Sequence, residues 1–249
     1  MIQQRQQYED IAAFDCKYNI RSTIHMLNFK EWLFVHGGYR HHPRNKEELI
    51  NAIKIEIDKQ GPHANLGYID TSKITDMSGL FMGEENFDAD ISNWNVSRVK
   101  DMSKMFARTK NINVDLSIWD TSSVRTMRGM FEKSDFKGDI SHWNTSNVRD
   151  MSGMFMYSLF EGILANWDTF NVRDMSMMFM CATNFNQDIH LWDVSNVRDV
   201  SRMFCGATLF NQDISNWNLS KAVKTEGMFE DSAYYNSDTK LPKGISRYA

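Results

Sequence analysis

The stretch SNVRDMSGMF, residues 146–155, decides the fold, because near-copies of it recur along the chain. The copies occupy residues 72–81, 97–106, 122–131, 170–179, 195–204 and, in a weaker form, 220–229. Each copy closes on a phenylalanine, and these fall 24 or 25 residues apart: Phe81, Phe106, Phe131, Phe155, Phe179, Phe204 and Phe229. Repeats of this length are typical of solenoid proteins, in which each repeat buries its apolar side chains only against its neighbours.

Three more apolar columns keep the same spacing. The first is Trp94, Trp119, Trp143, Trp167, Trp192 and Trp217. The second is Phe87, Ile112, Phe136, Phe160, Phe185, Phe210 and Tyr235. The third is Ile91, Leu116, Ile140, Leu164, Ile189 and Ile214. Four columns that hold register over seven copies predict one core running through the whole stack.

Within a repeat the apolar pattern predicts two short elements. A helical face is indicated by the spacing of Val148, Met151, Met154 and Phe155. Ser146 or Asn147 can cap this helix, with Asp150 in its first turn. The segment around Ile140 predicts a strand of three or four residues. The fold class expected is therefore an α/β solenoid, a right-handed stack of coils with short parallel strands and short helical turns.

The ends of the stack need caps. Residues 45–62 predict an amphipathic helix with Asn45 as N-cap, Glu48 three residues later and an apolar stripe of Ile50, Ile53 and Ile57. We expect residues 1–65 to form a helical N-terminal cap and its extension, residues 66–236 the repeats, and residues 237–249 a C-terminal cap or tail. The alternative for residues 1–44 is a segment that binds a partner.

Composition excludes some classes of protein. A net charge of −4 and a pI near 6.0 argue against nucleic-acid binding over the whole surface, although not against a local basic strip. No run approaches the ~18 apolar residues of a membrane helix, and the N-terminus has no apolar signal region. We therefore expect no membrane insertion and a cytoplasmic location, with Cys16, Cys181 and Cys205 as reduced, packed thiols.

The repeat resembles a known family. The string FNQDISNWN, residues 210–218, followed by an xVxDMSxMF element, is similar to the BspA-like leucine-rich-repeat family in its mycoplasma-lipoprotein-type branch. The resemblance covers residues 66–236. It implies a leucine-rich-repeat-like solenoid and a surface or secreted protein that acts by protein contact, such as a cell-surface adhesin.

Candidate catalytic and metal-binding residues are few. The segment HGGYRHHPR places His36, His41 and His42 together, which is a zinc-ligand spacing, but no second pair of ligands lies nearby in the sequence. We therefore favour a cap loop in which the glycines make a turn. Phosphate-loop, serine-nucleophile and zinc-protease motifs are absent from the sequence. We expect no enzyme activity, no cofactor and no metal.

A column of carboxylates precedes the predicted strands: Asp90, Asp115, Asp139, Asp188 and Asp213, interrupted by Ile163. Stacked repeats would bring them about 5 Å apart, which suits either calcium or hydrogen bonds to the turns. The adjacent Asn-Gln pairs favour the turn interpretation.

The strongest candidate site is cationic. Five successive repeats place a positive residue at one position: Lys100, Arg125, Arg149, Arg173 and Arg198. We call this set the basic column. It could meet an acidic protein surface or phosphates. Alternatively, Arg–Asp pairs with the aspartates that follow would make it a solvated structural ladder.

A second candidate lies on the outward side of the predicted strands. It consists of Ile118, His142, His190 and Leu191, which we call the sheet face. Exposed apolar groups beside histidines can anchor a partner, although ordinary surface variation explains them equally well.

The function expected is a non-enzymatic protein-interaction module that binds a protein partner through the sheet face and the basic column. The alternatives are a cell-surface adhesin, as the resemblance implies, and binding of nucleic acid or another polyanion through the basic column.

Overall fold

The structure is a computed structural model that describes residues 38–61, 63–87, 89–112, 114–234 and 241–245. The chain divides into two compact units, Met1–Tyr39 and Arg40–Ala249, and every element below belongs to the second. The predictions that concern residues 1–37, including His36 and Cys16, lie outside the described residues.

The predicted cap helix is present as α1, Lys46–Gln60. Its N-cap is confirmed, because the Asn45 side chain accepts the Glu48 N–H at 2.9 Å, and the Glu48 carboxylate accepts the Arg44 N–H at 2.7 Å. The helix ends at Gly61, whose left-handed backbone lets its N–H bond the Ile57 carbonyl at 2.8 Å. A 3₁₀ turn, Leu66–Tyr68, then leads into the first repeat.

The predicted apolar stripe of α1 is wrong in two of its three residues. Ile50 and Ile57 are 46% and 36% exposed, and only Ile53 is buried. The buried face is instead Leu49, Ala52, Ile53 and Glu56. This set has the helical spacing i, i+3, i+4, i+7, and the isoleucine pattern missed it because its fourth member is a carboxylate.

Successive repeats pair side by side in parallel. One chain of single backbone pairings runs through the stack, joining Asp76, Asp101, Thr126, Asp150, Asp174, Asp199 and Lys224. At the last repeat, Asn218 pairs with Lys243, and the partly buried Leu241 and Ile245 pack against the core. Among the described residues these pairings are isolated, and no longer strand forms.

Residues 148–155 do not form the predicted helix. Alternate N–H groups, those of Met151, Gly153, Phe155 and Tyr157, donate to carbonyls of the next repeat at 2.8–2.9 Å. The intervening N–H of Met154 bonds locally to Met151 at 3.2 Å. Two residues four apart, Gly153 and Tyr157, have φ of 61° and 57°. These left-handed residues break a helix and turn every second N–H toward the neighbouring repeat.

The predicted strand around Ile140 is a turn. The Asp139 carboxylate accepts the Ser141 N–H at 2.9 Å, and the Ile140 carbonyl accepts the Trp143 N–H at 3.2 Å. An aspartate that bonds the backbone two residues later bends the chain instead of extending it. The chain of pairings from Asp76 to Lys224 therefore lies in the segment predicted as helix, and only at the first repeat does a predicted strand residue pair, Asp90 with Asn65.

The four apolar columns are confirmed as the core. Phe155 stacks between Phe131 and Phe179 with ring centroids 5.8 and 5.6 Å away. Six tryptophans each donate their buried indole N–H to a carbonyl 27 or 28 residues earlier, at 2.9–3.3 Å: Trp94, Trp119, Trp143, Trp167, Trp192 and Trp217. Tyr234 stacks 6.1 Å from Phe210 at the end of the second column, and the predicted Tyr235 lies outside the described residues.

Candidate binding surfaces

The basic column is continuous and exposed. The N–H of each member donates to the carbonyl of the member before it, from Arg125 to Lys100 at 2.9 Å and onward to Arg198. All five side chains are exposed. Because stacked chains lie about 4.8 Å apart, the column is a file of five positive charges roughly 20 Å long.

The neighbouring aspartates make no ion pair with the column. Asp150 and Asp174 accept the N–H groups of Ser152 and Ser176, both at 2.9 Å, and their hydroxyls as well. In the part of the chain that the structure describes, no ion pair joins a member of the column to a carboxylate. The alternative of an Arg–Asp ladder is therefore not what these side chains form.

One member of the column and one aspartate of the stack have other partners. The Arg173 guanidinium makes long hydrogen bonds of 3.3–3.5 Å to the carbonyls of Phe170, Val172 and Asn196. Asp199 forms an ion pair at 3.1 Å with Lys224. Lys224 lies in the repeat after Arg198, at the position where other repeats have aspartate, and is not part of the basic column. Burial acts to raise the pKa of Asp199, but bonds from Ser201 and this lysine hold it below its usual value.

The sheet face is a row of turns. Ile118 and Leu191 are 62% and 69% exposed, and His142 shares their column, because all three precede a tryptophan. The His190 ring lies 2.7 Å from the Asp188 carboxylate, and its backbone N–H donates to the same oxygen at 3.0 Å. These bonds lower the pKa of Asp188. The four residues thus lie along one side of the stack without forming a single cluster.

Sequence reasoning missed one exposed aromatic residue near the basic column. Phe170 is 51% exposed and stands where the six other repeats have serine. Its carbonyl accepts the side-chain amide of Asn196 at 3.0 Å and the Arg173 guanidinium at 3.5 Å. The change of SNVRD to FNVRD was the visible signal.

The histidines of the N-terminal segment support the cap. His41 bonds the fully buried Glu56 carboxylate at 2.8 Å, with Arg40 3.6 Å from the same carboxylate. His42 lies 3.3 Å from Asp70. Burial acts to raise the pKa of Glu56, yet hydrogen bonds from His41 and Gln60 and the charge of Lys59 lower it below its usual value. Arg40 and His41 thus hold α1 through Glu56, and His41 also pairs through its backbone with Ile69 of the first repeat.

The carboxylate column serves the turns. Asp90, Asp115, Asp139, Asp188 and Asp213 each accept the N–H two residues later, at 2.9–3.0 Å. No group of three or more His, Cys, Asp and Glu side chains among the described residues is arranged to hold a metal ion. Cys181 and Cys205 are free, partly exposed thiols in adjacent repeats, with the Cys181 N–H 2.7 Å from the Cys205 carbonyl.

The comparisons with known proteins give a family. The family model described as Mycoplasma protein of unknown function, DUF285, matches residues 54–158 and 132–241, which together span three quarters of the chain. No curated protein and no solved structure matches the chain. Within the described residues, no helix has the length and apolar content that crossing a membrane requires.

Proposed function

The chain belongs to the DUF285 family, and on that premise we propose that it is a BspA-like, leucine-rich-repeat-type solenoid that acts as a non-enzymatic protein-interaction module. The partner is a protein with an acidic surface. It binds along the basic column, and the exposed residues of the sheet face add contacts on another side of the stack.

The basic column carries this proposal. Neighbouring members at about 4.8 Å repel each other by up to about 1 kcal/mol in water, less where the side chains spread apart. Folding does not relieve this repulsion with ion pairs to the described carboxylates. An acidic surface would relieve it on binding, and complementary charge accelerates association.

A rigid scaffold supports the same function. The members of the column are joined by backbone hydrogen bonds of 2.8–2.9 Å above a core of stacked rings. Their spacing therefore exists before binding, and little backbone entropy is lost when a partner docks.

The test uses a matched pair of triple variants. Arg125→Gln, Arg149→Gln and Arg173→Gln remove three charges from the column. The control, Lys73→Gln, Lys110→Gln and Lys137→Gln, removes three exposed charges elsewhere. Both are compared for binding of a poly-glutamate 12-mer and of proteins captured from the source cells.

We expect the column variant to weaken binding between about threefold and a hundredfold, because each exposed charge contact contributes about 0.2–1 kcal/mol. The control variant should bind like the parent protein. Equal binding by both variants would reject the basic column as the binding surface. Ile118→Asp with Leu191→Asp tests the sheet face in the same assay.

Nucleic acid is the second candidate, favoured by the regular file of five cations. Five phosphate contacts with a single strand would give a slope of about −3.5 in log affinity against log salt. Binding of a dT12 oligonucleotide that stays flat between low and moderate salt would remove this candidate.

A further inference from the structure

The last repeat carries a row of backbone N–H groups that have no acceptor among the described residues. In each of the six repeats before it, four alternate N–H groups donate to carbonyls of the next repeat. In the sixth repeat these bonds measure 2.7–2.9 Å and come from Val200, Arg202, Phe204 and Gly206. The corresponding donors of the last repeat, which we call the open edge, are Thr225, Gly227, Phe229 and Asp231.

The open edge has the same backbone conformation as the paired repeats. Gly227 and Asp231 are left-handed, with φ of 63° and 55°, as are Arg202 and Gly206 of the sixth repeat, with φ of 53° and 69°. The Glu230 N–H bonds the Gly227 carbonyl at 3.2 Å, and the equivalent bond of the sixth repeat measures 3.3 Å. Because the backbone follows the same path, the four N–H groups face away from the sixth repeat, where a further repeat would pair.

A partner of the open edge has to supply hydrogen-bond acceptors. The alternate carbonyls of the last repeat already accept N–H groups of the sixth, so two open edges would meet donor to donor. At the first repeat α1 lies beside the corresponding edge, where the Lys46 ammonium donates to the Ser78 hydroxyl at 2.7 Å and lies 3.6 Å from the Asp76 carboxylate. A second copy of the chain therefore fits the open edge by neither end.

The last repeat also concentrates acidic side chains along the open edge. Glu226, Glu230 and Asp231 are exposed, and none of them forms an ion pair with a described residue. At the same three columns the six earlier repeats together hold a single carboxylate, Glu132. The acidic character is thus a property of the unpaired end of the stack and not of the repeat.

Two cations lie near these carboxylates and do not balance them. Lys224 is engaged at 3.1 Å with Asp199 of the sixth repeat. Arg202 reaches the last repeat, since a Cβ added at Gly227 would lie 3.3 Å from its Cγ and 3.2 Å from the Glu230 carboxylate. One unpaired cation beside three carboxylates leaves an excess of negative charge at the edge.

We infer that the open edge binds an extended, basic segment of a partner protein, which adds to the stack as one more rung. Four alternate carbonyls of the segment accept the four N–H groups, as the carbonyls within residues 224–230 do for the sixth repeat. Lysine or arginine side chains of the segment pair with Glu226, Glu230 and Asp231. Met228 and Phe229 are already buried, so backbone bonds and charge carry the recognition. The surface and the charge of this partner both differ from those proposed for the basic column.

The test is amide hydrogen exchange of the full chain, followed by NMR at the four N–H groups of the open edge. The probe is a nine-residue peptide, Ser-Gly-Lys-Gly-Ser-Ser-Lys-Lys-Gly. We expect rapid exchange in the free protein and exchange at least about tenfold slower when the peptide is saturating, because the N–H groups become hydrogen-bonded. The same peptide with Gln for Lys should bind more weakly. Spermine, a polyamine without carbonyl groups, should not slow the exchange.

A matched pair of triple variants tests the charges. The edge variant is Glu226→Gln, Glu230→Gln and Asp231→Asn, which nearly preserves the size of each side chain. We expect it to weaken peptide binding between about threefold and a hundredfold, since each exposed charge contact contributes little. The control, which should bind like the parent protein, removes three exposed carboxylates elsewhere: Asp58→Asn, Glu85→Gln and Glu161→Gln.

Three results would overturn the inference: edge N–H groups that are already protected in the free protein, a peptide that binds without slowing their exchange, or an edge variant that binds as tightly as the parent. Protection that rises with protein concentration alone would also overturn it, because the occupant would then be a second copy. The Gln triple variant of the basic column should bind the basic peptide like the parent. Loss of acidic-partner binding in that variant and loss of basic-peptide binding in the edge variant are therefore separate results.

Discussion

Phe155→Ala should be among the most destabilising substitutions in this protein, because Phe155 is at the centre of the ring stack. Its side chain is fully buried. Its ring centroid lies 5.8, 5.6, 4.4 and 6.3 Å from those of Phe131, Phe179, Phe160 and Trp167. Truncation of a buried phenylalanine costs about 3–5 kcal/mol, and four ring neighbours place this position at the upper end.

The matched control is Phe229→Ala, in the same column at the last repeat. Among the described residues, Phe229 has two ring neighbours, Phe204 at 5.8 Å and Tyr234 at 4.5 Å, and it is 5% exposed. With half the ring contacts, we expect a cost of about 2–3 kcal/mol. The difference between the two variants follows from position alone, since the chemical change is identical.

Urea unfolding followed by tryptophan fluorescence measures both variants. Each repeat is stabilised by its neighbours, so a central defect should also lower cooperativity, seen as a smaller m-value for Phe155→Ala than for Phe229→Ala. Equal costs for the two variants, or a cost below about 2 kcal/mol for Phe155→Ala, would refute the idea that stacked neighbours set the stability of each repeat.

Two further predictions concern acid and strain. The pKa values of Glu56, Asp70 and Asp199 are lowered, so the stability they contribute is complete above their usual values of 3.8–4.5 and is lost as the pH falls below them. The melting temperature should therefore fall between pH 5 and pH 3, and Glu56→Gln should differ from the parent less at pH 3 than at pH 7; a constant difference would contradict this. Gly206→Ala should cost about 2–4 kcal/mol, because Gly206 has φ +69° and an added Cβ would lie 2.8 Å from the Cys181 sulfur. In a Cys181→Gly background, denaturant unfolding should show a smaller cost, and an unchanged cost would exclude the steric contact.

Local signals in the sequence predicted local features correctly. Asn45 and Glu48 marked the start of α1, because an N-cap depends on residues within one turn of helix. The buried face of the same helix was mispredicted at Ile50 and Ile57. Glu56 is buried there because His41, fifteen residues earlier, supplies its partner.

In the repeats, the sequence predicted which residues form the core but not the backbone conformation. Val148, Met151, Met154 and Phe155 are buried as predicted, yet their helical spacing arises without a helix. The left-handed position that breaks the helix is glycine in some repeats and Lys104, Met177 or Arg202 in others. These three residues rarely adopt positive φ, so the pattern of residue types concealed the backbone conformation.

The candidate surfaces divide in the same way. The sequence showed the basic column, because its members recur every 24 or 25 residues. It did not show the partners of the adjacent aspartates, because Asp150 could bond either Ser152 or a neighbouring arginine.

The sequence alone thus determined the period, the apolar columns and the position of the cations, because a stack of repeats needs like residues at like positions. The tertiary structure decided which backbone N–H groups cross between repeats and which charge of α1 is buried. Those outcomes depend on contacts between residues that are distant along the chain, and hydrogen bonds and burial are settled only when such residues meet.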